Sequence, residues 1–408
     1  MVLTLTKSEI ISGMVIDITG SKSESNRLLI LQALFPAISI NNLSNSDDSE
    51  AMQKALSAGD GIIDIHHAGT AMRFLTAYFS TLEGRNVTLT GSPRMKERPI
   101  EILVSALKDL GADIEYVENQ GCPPLRIQGK KLSKCTVALD ANVSSQYISA
   151  LMLVAPSLPK GLEINLKGKV TSVPYINMTL KLLQSIGVEG SFVDNQISIA
   201  PKDSLKEEYH LTVESDWSSA SYFYSIVALS EPGTTISLNS YKVDSLQGDS
   251  ILAEIYQKFQ VETSFMGNTI TLKKLLSDDN INIDLDLSNS PDIAQTIAVT
   301  CLGLGIACKI GGLHTLKIKE TDRLQALKNE IEKLGGTFNI TKDSLELMPI
   351  ASLNESVEIE TYNDHRMAMA FAPLALNIPI AIKDYEVVSK SYPTFWDDLK
   401  TVGFRFSK

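Results

Sequence analysis

Lysine and arginine recur in this chain where helices should begin. The runs are Ser21-Lys22-Ser23-Glu24-Ser25-Asn26-Arg27, Arg94-Met95-Lys96-Glu97-Arg98-Pro99, Thr171-Ser172-Val173-Pro174-Tyr175, Lys319-Glu320-Thr321-Asp322-Arg323 and Lys390-Ser391-Tyr392-Pro393. All but the third carry a cation, although a helix N-terminus is already positive from its macrodipole. An anion held between the side chain and the exposed N–H groups removes that conflict. Arginine supplies a bidentate fork for phosphate or carboxylate, and lysine a compact point charge. The chemistry indicated is the gripping of small, multiply anionic substrates.

Each cluster alone has a plainer account. Lys319, Glu320, Asp322 and Arg323 suit surface ion pairs three residues apart. Arg94 and Arg98 suit a solvated face. Ser144-Ser145 before an apolar run suits an N-cap. Asp364-His365-Arg366 suits a polar turn, and Asp292 after Pro291 is a favourable first-turn residue. These accounts lose force because the clusters share one place in a repeating unit.

That unit positions them. A helix, a short break and then alternating residues recur near Phe35, Gly111, Gly187, Gln260, Gly335 and Gly403, at a period of roughly 75 residues. The stripes Ile100, Leu103, Val104, Leu107, Leu110 and Leu324, Leu327, Ile331, Leu334 mark amphipathic helices. A second helix type is apolar on nearly all faces: residues 69–79, 144–154, 216–229, 290–304 and 363–376. Such helices pack inside a domain. Six copies of strand, buried helix, strand, amphipathic helix and two strands fill the chain, grouped three and three. The fold class expected is α/β, in two domains. One spans residues 20–214. The other takes 215–408 together with 1–19, because the first copy lacks its own opening strands.

Composition narrows the function. The chain has 408 residues, too many for one core, and a formal net charge of −11. An acidic protein of pI about 5.1 argues against a nucleic-acid or anionic-membrane partner. The opening MVLTLTKSEI has neither region of a signal peptide, and the most apolar stretch, around Ile293 to Ala307, is too short and too interrupted to span a bilayer. A cytoplasmic location is therefore expected. Cys122, Cys135, Cys301 and Cys308 show no CxxC spacing and read as reduced thiols. There is no GxxxxGK[ST] loop and no GxGxxG fingerprint, which argues against ATP and NAD. His66, His67, His210, His314 and His365 lack metal-ligand spacing.

Eleven runs, in order from residue 20 to 399, resemble the family of 5-enolpyruvylshikimate-3-phosphate (EPSP) synthases. They are GSKSESNRLLILQAL, AGTAMRFL, PRMKERPI, SSQYISALMLVAP, SVPYINMTL, SDWSSASYF, LQGD, SPDIAQTIA, IKETDRLQAL, TYNDHRMAMAFAPLAL and KSYPTFWDDL. The resemblance implies a two-domain inside-out α/β barrel, each domain being three βαβαββ repeats joined to the other by two crossings. It implies transfer of the enolpyruvyl group of phosphoenolpyruvate to the 5-hydroxyl of shikimate 3-phosphate. No metal or organic cofactor is implied, and the partners are the two small-molecule substrates, with a monomer expected.

Carried over by motif, Ser23, Arg27, Ser144, Ser145, Ser172, Tyr175 and Lys319 would hold shikimate 3-phosphate. Lys22, Arg98, Arg323, Arg366 and Lys390 would hold phosphoenolpyruvate, with Gly69 allowing close backbone approach and Gln146 contacting both. Asp292 is implied as the base for the 5-hydroxyl, and Glu320 and Lys22 as candidates for proton transfer at C3. A carboxylate ringed by cations stays ionised, which makes Glu320 the weaker candidate acid. Three positions depart from the family pattern: His67 for the usual Asn, Phe74 for the usual Pro, and Thr315 where Asn often contacts the ring. Loss of that proline should straighten the buried helix and shift Gly69 and Thr70 slightly. Two rivals remain. One is a transferase of the same fold acting on UDP-N-acetylglucosamine, disfavoured because no cysteine precedes Gly121. The other is a silent anion-binding protein, disfavoured by the presence of Asp292, Glu320 and Lys22 together.

Overall fold

The computed structural model describes residues 1–140, 144–168, 170, 172–276 and 281–407. Thr171, in one of the helix starts above, lies outside them. Two compact units are present: Gly20–Val213, and Met1–Thr19 with Glu214–Lys408.

In the unit Gly20–Val213, one four-stranded sheet has the spatial order Gly61–Asp64, Asn86–Thr90, Leu125–Gln128, Asp113–Tyr116. Its first pair is parallel, because the buried helix Gly69–Thr81 makes the crossover, and the remaining pairs are antiparallel. Ile127 lies opposite both Val87 and Ile114, so alternate residues of every strand face the helices. The amphipathic helix Glu101–Leu110 ends at Gly111, whose φ of 107° only glycine adopts without strain. The same pattern recurs in the sheet of Thr136–Asp140, Leu162–Lys167, Gln196–Ile199 and Gly190–Val193. Helices Lys22–Leu34, Gly69–Thr81 and Ser145–Val154 pack against one another inside the unit.

The first repeat departs from the expected six full copies. Helix Lys22–Leu34 belongs to the buried type, covered from Glu24 to Leu31, not to the amphipathic type that its charged start suggested. Asp47–Ser57 is the amphipathic helix of this repeat, and the chain runs from it directly into Gly61–Asp64, the opening strand of the next. The closing hairpin is missing. Among the described residues this sheet has only Ile38–Asn41 and Tyr209–Thr212, paired in parallel. The spacing was misleading because a helix followed by alternating residues occurs at either position in the unit.

The unit Met1–Thr19 with Glu214–Lys408 has three four-stranded sheets. Met14–Ile16 pairs in parallel with Thr235–Asn239 and serves as an opening strand. Val2–Thr6 lies antiparallel between Ile380–Lys383 and Arg405–Ser407, completing the last sheet. Buried helices Trp217–Ala228 and His365–Phe371 both pack on Ala294–Leu304. No helix among the described residues is long and apolar enough to cross a membrane.

Candidate active site

In the unit Gly20–Val213, Lys22 is the first residue of its helix and its Nζ lies 3.8 Å from Asp48 Oδ2. Arg27, one turn on, is buried. Its Nε donates to Thr179 Oγ1 at 2.7 Å, Nη1 to the Ser23 carbonyl at 2.7 Å and Nη2 to Ser149 Oγ at 3.0 Å. Its guanidinium carbon stands 5.4 Å from the Phe74 ring centre and 5.9 Å from that of Tyr175, within cation–π range. Burial draws its pKa down to about 10, against the opposing pull of Tyr175 and Glu24, so it stays charged at neutral pH. Helix Gly69–Thr81 runs unbroken through Phe74, and this residue forms one wall around Arg27.

Gly69 opens that helix, and its lack of a side chain leaves room for the ends of two arginine side chains. A Cβ there would sit 2.4 Å from Arg98 Nη1 and 2.9 Å from Arg73 Nη1. Arg73 donates to the Gly69 carbonyl at 2.8 Å. Gln146 Nε2 donates to Thr70 Oγ1 at 3.2 Å, tying together the starts of two buried helices. Ser144 caps helix Ser145–Val154 by accepting from the Gln146 amide. Ser172 precedes helix Val173–Ser185 with a φ of 55°, a left-handed conformation that costs a serine energy and that clusters at functional sites. Tyr175 lies in the first turn of that helix, and its carbonyl accepts from Thr179 Oγ1. The exposed pairs Arg94–Glu97 and Lys96–Glu118 are solvated ion pairs, the plainer account for that part of the run.

In the other unit, Asp292 sits in the short turn Pro291–Ile293 at the head of helix Ala294–Leu304. Its Oδ1 lies 2.8 Å from Arg323 Nη1 and 3.4 Å from Lys319 Nζ, and its Oδ2 lies 3.1 Å from Arg366 Nη2. Burial pushes this carboxyl up, but Arg366, Lys319 and Arg323 outweigh that and hold it well below the usual carboxylate range. Arg323, at the first position of helix Arg323–Lys333, also pairs with Glu320 at 2.9 Å and with Asp364 at 2.6 Å. Burial lowers its pKa, yet Asp364, Glu320 and Asp292 raise it beyond the ordinary arginine value. Thr315 Oγ1 is buried with no hydrogen-bond partner among the described residues. Lys390 Nζ donates to the Asn363 carbonyl at 2.6 Å, at a turn where Tyr362 and Asn363 are both left-handed.

Each unit thus gathers helix N-termini and cations, and one unit adds a carboxylate fixed by three of them. Asp292, Lys319, Glu320, Arg323 and Arg366, scattered in sequence, form one ion cluster. Asp364, Ser218 and Asp249 join it without having been singled out as site residues, and Arg73 joins the Gly69 turn. The runs that contain them were visible, but nothing local says which residues of SDWSSASYF or LQGD turn inward. His67 lies 3.7 Å from Asp47 and is half-exposed.

Comparison with known proteins fits this geometry. The profile of the family described as EPSP synthase (3-phosphoshikimate 1-carboxyvinyltransferase) matches residues 54–399. A 3-phosphoshikimate 1-carboxyvinyltransferase of Bacteroides fragilis is 48% identical over 401 residues, covering 95% of each chain. One from Colwellia psychrerythraea is 37% identical over 415 residues, covering 94% of this chain and 95% of its own. Among solved structures, an EPSP synthase from Acinetobacter baumannii aligns over the whole of both chains with a TM-score of 0.79 at 20% identity. The enolpyruvyl transferase NikO from Streptomyces tendae aligns over 100% of this chain and 98% of its own, with a TM-score of 0.76 at 13% identity. These neighbours share the two-domain inside-out α/β fold.

Proposed function

The chain belongs to the EPSP synthase family, and from that premise we infer that it transfers the enolpyruvyl group of phosphoenolpyruvate to the 5-hydroxyl of shikimate 3-phosphate, releasing phosphate. It is a 3-phosphoshikimate 1-carboxyvinyltransferase of the shikimate pathway. The observation that most supports a catalytic rather than a merely binding role is Asp292, a carboxylate kept ionised by Arg323, Lys319 and Arg366. An anion trap needs only the cations. A buried acid among them weakens anion binding and is explained by proton transfer.

Two substrates bring two phosphates and two carboxylates, whose mutual repulsion only a dense set of cations offsets. In this proposal shikimate 3-phosphate is taken by Ser23, Arg27, Ser144, Ser145, Ser172, Tyr175 and Lys319. Lys22, Arg98, Arg323, Arg366 and Lys390 take phosphoenolpyruvate, Gln146 reaches both, and Thr315 offers its unpaired hydroxyl to the ring. Asp292 accepts the 5-hydroxyl proton as that oxygen bonds to C2, while C3 gains a proton from Lys22 or Glu320. Loss of phosphate from C2 and of a proton from C3 then restores the double bond.

Resting Asp292 is a weak base, because three cations stabilise its charge. Substrate anions arriving on Lys319, Arg323 and Arg366 offset those cations and return basicity to it when it is needed. Glu320 is engaged by Arg323 at 2.9 Å, and Lys22 is its competitor as proton donor at C3. The same reading keeps the enzyme in the cytoplasm, acting as a monomer without a nucleic-acid or membrane partner. Phosphate release by the purified protein tests it: release requires both substrates together. No release at any pH between about 6 and 9, the span over which such general acids and bases work, overturns it.

A further inference from the structure

Two runs that this chemistry leaves without a role, Ser215-Asp216-Trp217-Ser218 and Leu246-Gln247-Gly248-Asp249, meet beside Arg366. Buried Glu214 clamps the second run to the first turn of helix Trp217–Ala228. Its carboxylate accepts from Trp217 Nε1 at 2.7 Å, the Lys242 amide at 2.9 Å and Ser245 Oγ at 2.6 Å. Gln247 completes the clamp, accepting from the Trp217 amide at 2.9 Å and donating to the Ser215 carbonyl at 2.8 Å. The Gly248 carbonyl accepts from Ser290 Oγ at 2.9 Å, which joins this loop to the turn that carries Asp292.

What the clamp presents is Asp249, only 4% exposed. Ser218 Oγ is hydrogen-bonded to Asp249 Oδ2, and Arg366 Nη2 donates to the same Ser218 Oγ at 3.3 Å. Arg366 Nη2 in turn lies 3.1 Å from Asp292 Oδ2, and Nη1 donates to the Asp292 carbonyl at 3.1 Å. Asp249 Oδ1 is buried without a hydrogen-bond partner among the described residues. Leaving such an acceptor unsatisfied is costly, and a fold retains that cost where it serves the site.

We propose that Asp249 is a positioning residue for the transfer reaction: through Ser218 it fixes the guanidinium of Arg366, and with it the carboxylate of Asp292. When Asp249 is ionised, the chain of donors runs one way, from the Arg366 N–H to Ser218 Oγ and from the Ser218 O–H to Asp249. When Asp249 is protonated, its own O–H competes for Ser218 Oγ and the serine hydrogen loses its acceptor, so the hold on Arg366 weakens. The charged groups facing Asp249 are Asp292 from the turn Pro291–Ile293, Arg366 from helix His365–Phe371 and Asp216 from the cap of helix Trp217–Ala228. Burial, with Asp292 next, pushes its pKa up to about 6, against the opposing pull of Arg366 and Ser218. Positioning is therefore complete above that pH and fails as pH falls through it.

The same shift has a stability consequence of defined sign. A carboxyl raised above its unfolded value is disfavoured in its ionised form, so the fold carries a penalty above about pH 6 that is relieved as pH falls toward 4. Asp249→Asn removes the penalty together with the positioning charge. The inference rests on the transfer reaction proposed above, which wild-type phosphate release in the same assay tests separately. The experiment measures kcat, KM for each substrate, the pH profile of kcat from 5 to 9, and Tm at pH 8, for wild type, Asp249→Asn, Ser218→Ala and the double variant. Expected are a fall in kcat of about 10- to 100-fold in either single variant and a double variant no worse than the singles. The limb near pH 6 disappears in Asp249→Asn, and its Tm at pH 8 is at or above that of wild type. A kcat within about twofold of wild type overturns the proposal, as does a fall of Tm and kcat together with the limb retained.

Discussion

Replacing Gly69 by alanine tests the placement of Arg98 directly. The new Cβ would stand 2.4 Å from Arg98 Nη1, 3.0 Å from Arg98 Cζ and 2.9 Å from Arg73 Nη1. Ordinary contact between heavy atoms needs about 3.5 Å, so one of the arginines must retreat by about 1 Å. Arg73 is buried and tied to the Gly69 carbonyl at 2.8 Å, whereas Arg98 is half-buried and follows a short 3-10 turn. Arg98 is the one that moves. A charge-assisted hydrogen bond lost to a substrate phosphate or carboxylate is worth about 1.5–3 kcal/mol, which corresponds to a rise in KM for phosphoenolpyruvate of about 10- to 150-fold. The KM for shikimate 3-phosphate should change less than about threefold, because Ser23, Arg27 and Tyr175 are untouched. Stability should hold or rise by about 0.5 kcal/mol, since alanine suits a helix better than glycine. Steady-state phosphate release with each substrate varied in turn, together with urea unfolding, measures all three quantities. An unchanged KM for phosphoenolpyruvate refutes the assignment of Arg98. A loss of stability above about 2 kcal/mol shows instead that the Gly69 turn serves packing alone.

Asp292→Asn should lower kcat by at least about 100-fold while shikimate 3-phosphate affinity, read by isothermal titration, changes far less; equal losses remove it as the base. It should also destabilise the fold at pH 7 by about 3 kcal/mol, because three cations lose a buried partner. The folded Asp292 carboxyl lies below its unfolded value, so that contribution is present above about pH 4 and is lost as pH falls below it. Urea midpoints of wild type and variant should therefore differ by a constant amount above about pH 5 and begin to approach one another only as pH falls below about 4. Arg27→Lys leaves Thr179, Ser149 and the Ser23 carbonyl without their forked partner, so shikimate 3-phosphate binding should weaken by about 10-fold or more. Phe74→Pro places a ring inside helix Gly69–Thr81 and removes the aromatic wall from Arg27; unfolding followed by circular dichroism should show a loss of about 3 kcal/mol.

Local physics made much of the site legible in one dimension. A cation at a helix start is unfavourable by itself, so Lys22 beside Ser23 and Arg323 behind Asp322 announced an anion before any contact was known. The buried helices announced themselves by apolar residues on every face, and Gly111 by its place after the last of a stripe. Where two elements satisfy the same local rule, the sequence cannot choose between them. Lys22–Leu34 carries a charged start and is followed by alternating residues, yet it is a buried helix, because the hairpin that would close its sheet is missing and Asp47–Ser57 takes the outer place. Only pairing across sheets sets that assignment, since register is a property of two strands and not of one. The ion cluster is tertiary for the same reason. Asp292 and Arg323 lie on different helices of one repeat and Arg366 on the next, and their distances follow from how helices Ala294–Leu304, Arg323–Lys333 and His365–Phe371 pack. The sequence determined that this protein holds small anions at helix starts; packing decided that one carboxylate, Asp292, is held ionised among the cations, because burial and charge act through space rather than along the chain.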